Sequence, residues 1–146
     1  MPPAAGPATL GGVRLRCLIV DDSLRFLDAA RALLGRQGIE VVGVASTGAE
    51  ALQKATALRP DVILVDIDLG GESGFDVARG LRRDADPAPV ILISTHMGDD
   101  YVDLITASPA LGFLPKSALC GRAIRALLDG RGDGDPADPV SAPRGT

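Results

Sequence analysis

Acidic residues stand directly after two of the short apolar runs in the sequence. One run is followed by Asp21 and Asp22, and another is followed by Asp66, with Asp68 two residues further on. Carboxylates that are brought within a few ångströms of one another repel, so they either become protonated or bind a cation. A hard divalent ion with oxygen ligands is the simplest partner for such a group, and Mg²⁺ is therefore the predicted cofactor.

A hydroxyl group and an ammonium group follow two further apolar runs. Ser94 and Thr95 follow one of them, and Lys116, one of only two lysines in the chain, follows the other. A metal ion, an ammonium group and a hydroxyl around a carboxylate suit a phosphoryl group, whose charged oxygens each need a partner. A carboxylate that accepts the phosphoryl group becomes an aspartyl phosphate. The other lysine, Lys54, lies among alanines in a helical pattern and is expected to be solvated.

The elements that must bring these residues together alternate between strand and helix. Short apolar runs rich in β-branched residues alternate with amphipathic segments, which predicts an α/β fold with a doubly wound parallel sheet. Because the carboxyl ends of parallel strands lie at one edge, polar groups at four of the five strand ends would converge there. Each group alone has an ordinary explanation as a helix cap or a solvated side chain. The predicted strands are Cys17–Val20, Val41–Val44, Val62–Val65, Val90–Ile93 and Gly112–Pro115.

Five helices are predicted to follow these strands. Ser23 is the predicted N-cap of the first helix, and Thr47 with Glu50 forms a capping box at the start of the second. The later helices are predicted to open at Ser73, to cover about Asp99–Ala107 and to begin at about Ala118.

The two ends of the chain differ from the middle. Residues 1–12 and 131–146 are rich in proline and glycine and show no apolar period, so they are predicted to be disordered tails. A single ordered domain over residues 13–130 remains.

Composition argues against several classes of protein. The 146 residues carry a net charge of −4 and only 3% aromatic residues, which disfavours direct binding of nucleic acid. The sequence shows neither a membrane-spanning apolar run nor a signal peptide, so a cytoplasmic location without membrane contact is expected. Cys17 and Cys120 lie in apolar segments and are predicted to be buried, reduced thiols.

Four motifs, in their order along the chain, resemble those of response-regulator receiver domains of two-component signal transduction. The resemblance implies a flavodoxin-like (βα)5 fold with strand order 2-1-3-4-5. It also implies a phosphorylation-controlled switch that accepts a phosphoryl group from a sensor histidine kinase and signals by protein–protein contact. Such a domain is not an enzyme beyond its own phosphorylation and dephosphorylation. The motifs are LIVDDS at 18–23, PDVILVDIDLGGESG at 60–74, PVILIST at 89–95 and GFLPK at 112–116.

The resemblance implies a role for each matching residue. Asp66 would be the phospho-acceptor, Lys116 would bind a phosphoryl oxygen, and Ser94 would be the switch hydroxyl. Phe113 would be the aromatic side chain that follows Ser94 inward on activation. The implied Mg²⁺ ligands are Asp21, Asp22, Asp66 and the backbone carbonyl of Asp68.

The sequence departs from the family pattern close to the expected site. The loop after the acceptor usually holds a Met-Pro or Leu-Pro pair, and Leu69-Gly70-Gly71 stands here instead. Two glycines are expected to make this loop looser. Thr95 stands where a smaller residue is common, so its bulk is expected to restrict access to the phosphoryl group. The positions implied to tune the lifetime of that group are Asp68, Thr95 and His96.

The resemblance also implies a surface for a downstream protein partner or for homodimerisation. This surface is the face formed by strand 4, helix 4, strand 5 and helix 5. Its predicted members are Asp100, Tyr101, Asp103, Arg122 and Arg125.

Three other functions remain open from the sequence. Receivers also occur in DNA-binding transcriptional regulators, but the residues after Leu128 show no recognition-helix pattern, which favours a stand-alone receiver. A haloacid-dehalogenase-type phosphatase uses a similar set of groups, although its acidic pair normally follows the lysine, whereas Asp21 and Asp22 precede Lys116. A degenerate receiver that never takes up phosphate is the third alternative.

Overall fold

The strands of the protein lie where its apolar runs predict them. A computed structural model of the chain describes residues 14–84, 88–95 and 102–133. The strands are β1 (Leu15–Val20), β2 (Ile39–Ala45), β3 (Val62–Asp66), β4 (Val90–Ser94) and β5 (Gly112–Pro115). The helices are α1 (Leu24–Arg36), α2 (Gly48–Leu58), α3 (Gly74–Asp84), α4 (Val102–Ala107) and α5 (Gly121–Asp133). Within these described residues, no helix is long and apolar enough to cross a lipid bilayer.

The five strands form one parallel sheet. Their order is β2-β1-β3-β4-β5, which confirms the predicted fold class and strand order. The register keeps the strand ends level, since Asp66 pairs with Ile93 and Ser94 pairs with Pro115. The residues at the ends of β1, β3, β4 and β5 therefore meet at one edge of the sheet, which is called the carboxyl edge below.

Both faces of the sheet are apolar and covered by helices. Successive side chains of a strand point to opposite faces. Alternate residues of β1, β3 and β4 pack against α2, α3 and α4 on one face, and the intervening residues pack against α1 and α5 on the other. Burial on both sides explains why these strands appear as continuous apolar runs in the sequence. Fully buried large side chains include Leu18, Ile63 and Leu92 on the first face and Ile19, Leu64 and Ile93 on the second.

Polar caps start the first two helices, as predicted. The Ser23 hydroxyl accepts a hydrogen bond from Phe26 N at 3.2 Å, and the Thr47 hydroxyl accepts one from Glu50 N at 3.1 Å. The Glu50 carboxylate accepts a hydrogen bond from Ser46 N at 2.8 Å, one residue before the amide that a capping box would use. Each cap pairs amides that the first turn of a helix cannot pair itself.

Helix α5 differs from the prediction at both ends. It begins at Gly121, about three residues late, because Lys116–Ala118 forms a separate 3-10 turn and Leu119 is extended. It ends at Asp133, three residues beyond the predicted domain boundary, since a glycine weakens a helix by only about 1 kcal/mol and does not stop it. Residues 1–12 and 134–146 of the predicted tails and residues 99–101 of the predicted fourth helix lie outside the described residues.

The two cysteines have different surroundings. Both are free thiols. Cys17 is buried as predicted, and burial raises the pKa of its thiol far above the ordinary value. Cys120 was predicted to be buried too, but it is only partly buried, because it precedes α5, where its sulfur accepts a hydrogen bond from Ala123 N at 3.4 Å.

Candidate metal and phosphoryl site

The carboxyl edge holds the buried polar side chains of the protein. Among the residues that the structure describes, the buried polar or charged ones are Asp21, Asp66 and Ser94. Each of them ends or directly follows a strand. Because a buried charge is costly unless it is paired, the partners of these groups determine what the edge can do.

Lys116 lies between the two buried carboxylates. Its Nζ is 2.6 Å from Asp21 Oδ2 and 3.4 Å from Asp66 Oδ2, and its side chain is only 12% exposed. Backbone amides pair the other two oxygens: Ser23 N donates to Asp21 Oδ1 at 2.8 Å, and Asp68 N donates to Asp66 Oδ1 at 3.2 Å. Asp21 Oδ2 accepts no well-aligned hydrogen bond from a described residue, so its short contact with the ammonium group is an ion pair alone.

The acidic groups at this edge fit a divalent metal ion. Carboxylate oxygens of Asp21, Asp22 and Asp66 all lie within 4.8 Å of one another. Lys116 is ion-paired with two of these three carboxylates, those of Asp21 and Asp66, and Asp21 Oδ2 keeps a lone pair that no hydrogen bond uses. Hard oxygen donors of this kind suit Mg²⁺. Asp22 is exposed, so the pocket is open to solvent on that side.

Burial raises the pKa of the Asp66 carboxyl above its ordinary value. The hydrogen bond from Asp68 N lowers the pKa, the charge of Asp21 raises it, and the ammonium group of Lys116 lowers it. Burial, the largest of these effects, together with the charge of Asp21 outweighs the two effects that lower the pKa. A cation beside Asp66 would favour its ionised form.

Phe26 of α1 belongs to the site although no sequence motif includes it. The centroid of its ring lies 4.3 Å from Lys116 Nζ, within the range of a cation–π interaction. The ring therefore helps to hold the ammonium group beside Asp21 and Asp66. An aromatic residue in a helical pattern predicts burial alone, because nothing local in the sequence links α1 with the end of β5.

The segment after Asp66 closes into a turn. Leu69 N donates to Glu72 O at 3.2 Å, and Asp68 pairs with Ser73 in an isolated antiparallel bridge. The loop predicted to be loose is therefore held at several points along its length.

Two glycines are required where this loop passes the site and enters α3. Gly70 has φ of +73°, a conformation that proline cannot adopt, and a Cβ on it would lie 3.1 Å from Asp22 Oδ2. Gly74 begins α3, and a Cβ on it would lie 2.7 Å from Ile67 Cα. The replacement of proline by glycine at position 70 thus produces a different turn.

The predicted switch residues lie on neighbouring strands. Ser94 ends β4 and is buried, whereas Phe113 of β5 is half-buried and packs against the core on the face covered by α2, α3 and α4. Thr95 is exposed beside Ser94, and His96 lies outside the described residues. The switch and lifetime assignments stay predictions.

The predicted partner surface is described in part. Asp103, Arg122 and Arg125 are exposed, and Asp100 and Tyr101 lie outside the described residues. Arg122 and Arg125 line a groove together with Gln37, which follows α1. These arginines therefore belong as much to the side of α5 near α1 as to the predicted face.

Lys54 makes contacts that the prediction of a solvated side chain does not include. Its Nζ donates to Val44 O at 2.5 Å and pairs with Glu50 Oε2 at 3.4 Å, so it is not simply solvated. The long, flexible stem lets the ammonium group reach back from α2 to β2. Lys54 thus joins two elements of the fold, and Lys116 is the lysine of the candidate site.

Comparisons with known proteins agree with this geometry. The sequence matches the response regulator receiver domain family over residues 17–127. The transcriptional regulatory protein LiaR of Bacillus subtilis is 32% identical over 120 residues, covering 80% of this chain and 57% of LiaR. A protein-glutamate methylesterase/protein-glutamine glutaminase of Alkalilimnicola ehrlichii is 36% identical over 107 residues, covering 71% of this chain and 27% of that protein. The signal receiver domain of the response regulator NarL from Mycobacterium tuberculosis superimposes with a TM-score of 0.70 at 32% identity, over 82% of this chain and 98% of that one.

A doubly wound parallel sheet with an acidic pocket and a lysine at its carboxyl edge defines a receiver-type α/β protein. The chain belongs to the receiver domain family of two-component response regulators. It spans 57% of the length of LiaR and 27% of the length of the methylesterase.

Proposed function

We propose that this chain is a phosphorylation-controlled switch whose phospho-acceptor is Asp66. The observation that carries the proposal is the grouping of Asp66 with Asp21, Asp22 and Lys116 at the carboxyl edge of a receiver fold. A nucleophilic carboxylate, an acidic metal pocket and an ammonium group are the components that phosphoryl transfer needs.

The proposed phosphoryl donor is a phosphohistidine of a sensor histidine kinase. A carboxylate oxygen of Asp66 attacks phosphorus, so that a P–O bond forms while the P–N bond breaks and the imidazole leaves as a neutral group with its proton. Lys116 would bind an oxygen of the transferred group, and the distance of 3.4 Å between its Nζ and Asp66 Oδ2 supports this role. Repulsion between the carboxylate and the phosphoryl oxygens would be offset by Mg²⁺ held at Asp21, Asp22, Asp66 and the backbone carbonyl of Asp68.

The proposed output is a change in protein–protein contact. The phosphoryl group carries about −2 charge units at neutral pH, in place of the −1 of the carboxylate, and attracts the Lys116 ammonium and the Ser94 hydroxyl. Ser94 ends β4, which pairs with β5, the strand that contains Phe113. Phe113 packs against the same hydrophobic core as Ile105 of α4. A shift of Ser94 would therefore alter the packing of β4, α4 and β5 and the surface that they form with α5. This proposal places the protein in the cytoplasm, where the kinase would present its phosphohistidine.

One observation favours transcription control as a second output. The relative LiaR is a transcriptional regulatory protein, and the match covers 57% of its length. A pull-down with and without beryllofluoride, which mimics the phosphoryl group, compares the two outputs. A protein partner captured only with beryllofluoride supports contact-based output, and promoter DNA captured only with beryllofluoride supports the second.

Labelling with acetyl phosphate tests the acceptor assignment. Asp66→Asn should abolish Mg²⁺-dependent incorporation, because the amide is a poor nucleophile. Asp28→Asn removes an exposed carboxylate of α1 and should label like the unchanged chain. Undiminished labelling of Asp66→Asn would refute the assignment. Sustained release of phosphate from a small phosphomonoester would favour the phosphatase alternative instead.

A further inference from the structure

Glu72 ties the loop after Asp66 to a helix that lies outside the site. Its Oε1 accepts a hydrogen bond from Gly48 N at 2.6 Å. Gly48 is the first residue of α2, so its N–H is one of the amides that the helix cannot pair itself. A carboxylate at this position also lies at the positive end of the helix dipole.

The start of α2 accommodates this carboxylate. A Cβ on Gly48 would lie 3.0 Å from Glu72 Oε2 and 3.0 Å from Val77 Cγ2, so a larger residue would displace the contact. Within α2's own cap, the Thr47 hydroxyl pairs the amide of Glu50 and not that of Gly48. Glu72 thus completes a cap that the adjoining sequence leaves incomplete.

The tethered loop is the one that carries the predicted metal ligand Asp68. Its two glycines, Gly70 and Gly71, raise the entropic cost of ordering the backbone. Proline, which restrains this loop in the family pattern, cannot replace Gly70 at φ of +73°. The loop is instead restrained by its own backbone hydrogen bonds and by the contact between Glu72 and α2, which is the contact that fixes it to another element.

We propose that Glu72 is a positioning residue that holds the metal-binding loop by clamping it to the N-terminus of α2. The inference rests on the proposed function, since that function assigns the loop its metal. Glu72 contacts Gly48 and not the carboxylate cluster, so it acts on the metal only through the order of residues 68–71. The clamp supplies the restraint that proline supplies in the usual loop.

Amide hydrogen exchange in the metal-free protein measures the clamp itself. Glu72→Ala should speed exchange at Gly48, Leu69 and Gly70, whose amides are hydrogen-bonded, by about fivefold, which corresponds to the roughly 1 kcal/mol of a helix cap. Glu72→Gln should restore most of the protection, because its amide oxygen can still accept the hydrogen bond. Glu40→Ala removes an exposed glutamate from β2 and should leave the exchange unchanged.

Calorimetric titration with Mg²⁺ then tests the positioning role. Glu72→Ala should bind Mg²⁺ about fivefold more weakly, in proportion to the lost loop order, while Glu72→Gln and Glu40→Ala bind nearly as the unchanged chain does. If amide exchange is unchanged in Glu72→Ala, the contact between Glu72 and α2 does not restrain the loop. If exchange is faster but the Mg²⁺ affinity is unchanged, Glu72 does not position the metal-binding loop. Failure of the unchanged chain to bind Mg²⁺ would refute the proposed function and the positioning role. The exchange data would still show whether Glu72 restrains the loop.

Discussion

The carboxyl edge of the sheet and the opposite edge, where the strands begin and which is called the amino edge below, contain the same types of residue in different balance. At the amino edge, Arg16 N donates to Asp61 Oδ2 at 2.8 Å, and the Arg16 guanidinium donates to Leu58 O at 2.8 Å and Arg59 O at 3.0 Å. These side chains bond to the backbone of neighbouring elements. At the carboxyl edge, the buried carboxylates of Asp21 and Asp66 share the single ammonium group of Lys116, with the carboxylate of Asp22 close beside them. Asp21 Oδ2 accepts no well-aligned hydrogen bond from a described residue.

The polar groups of the amino edge stabilise the fold, whereas those of the carboxyl edge are available to a ligand. The hydrogen bonds of Arg16 and Asp61 at the amino edge contribute to the free energy of unfolding, and they join these side chains to the backbone. The buried carboxylates outnumber the ammonium group at the carboxyl edge, and this is tolerated because the sheet and its helices hold them in place. Unfavourable electrostatic interactions of this kind are typical of functional sites. Substitutions at the amino edge should therefore change stability alone, and substitutions at the carboxyl edge should change chemistry.

The largest expected effect comes from the lysine of the carboxyl edge. Lys116→Met should slow phosphorylation of Asp66 by acetyl phosphate about 100-fold, the usual cost of losing a donor to a developing oxyanion. Lys54→Met removes the chain's other lysine, which pairs with Glu50 and Val44 O and not with Asp21 or Asp66, and should leave the rate unchanged. Equal rates in the two variants would show that the charge imbalance at the carboxyl edge has no chemical consequence.

Adjacent glycines offer a test within the carboxyl edge. Gly70→Ala places a side chain at φ of +73° and 3.1 Å from Asp22 Oδ2, so the free energy of unfolding should fall. The expected loss is about 1–2 kcal/mol by urea denaturation, the cost of a left-handed residue. Gly71→Ala has no neighbouring atom within 4 Å and should be neutral or slightly stabilising. Equal stability of the two variants would contradict the proposed geometry of the turn.

A smaller change in stability is expected at the amino edge. Asp61→Ala leaves Arg16 N without its side-chain acceptor, so the free energy of unfolding should fall by about 1 kcal/mol. The rate of Asp66 phosphorylation should stay the same. A change in the phosphorylation rate would contradict the claim that substitutions at the amino edge change stability alone.

The smallest expected effect is a gain in stability, whereas the preceding substitutions lower stability or rate. Because burial raises the pKa of Asp66, the folded protein binds more protons than the unfolded chain between the ordinary pKa and the raised one. Stability therefore falls as pH rises through that window and stays lower above it. Metal-free Asp66→Asn should be more stable than the unchanged chain at neutral pH, and the difference should vanish below the ordinary pKa of aspartate. A less stable Asp66→Asn at neutral pH, measured by urea denaturation, would contradict this.

The candidate site could be predicted because its charged residues each follow a strand. Asp21, Asp66 and Lys116 are far apart in sequence, but parallel topology brings all strand ends to one edge, and the apolar runs show where the strands end. The same reasoning predicts the fold class, while the strand order came from the family resemblance alone.

Other parts of the site depend on geometry that no local pattern records. Phe26 reaches Lys116 because of how α1 packs on the sheet, and Glu72 reaches Gly48 because of the turn at Gly70. The start of α5 was predicted too early for a similar reason, since the 3-10 turn after β5 has no distinctive composition.

Reductive trapping tests the identity of the phospho-acceptor most directly. Borohydride converts an aspartyl phosphate into homoserine, which peptide mass spectrometry locates in the chain. After treatment with acetyl phosphate and Mg²⁺, homoserine is expected at position 66, and none is expected when Mg²⁺ is removed by a chelator. Homoserine at position 21, 22 or 68, or no homoserine at all, would contradict the assignment of Asp66 as the phospho-acceptor.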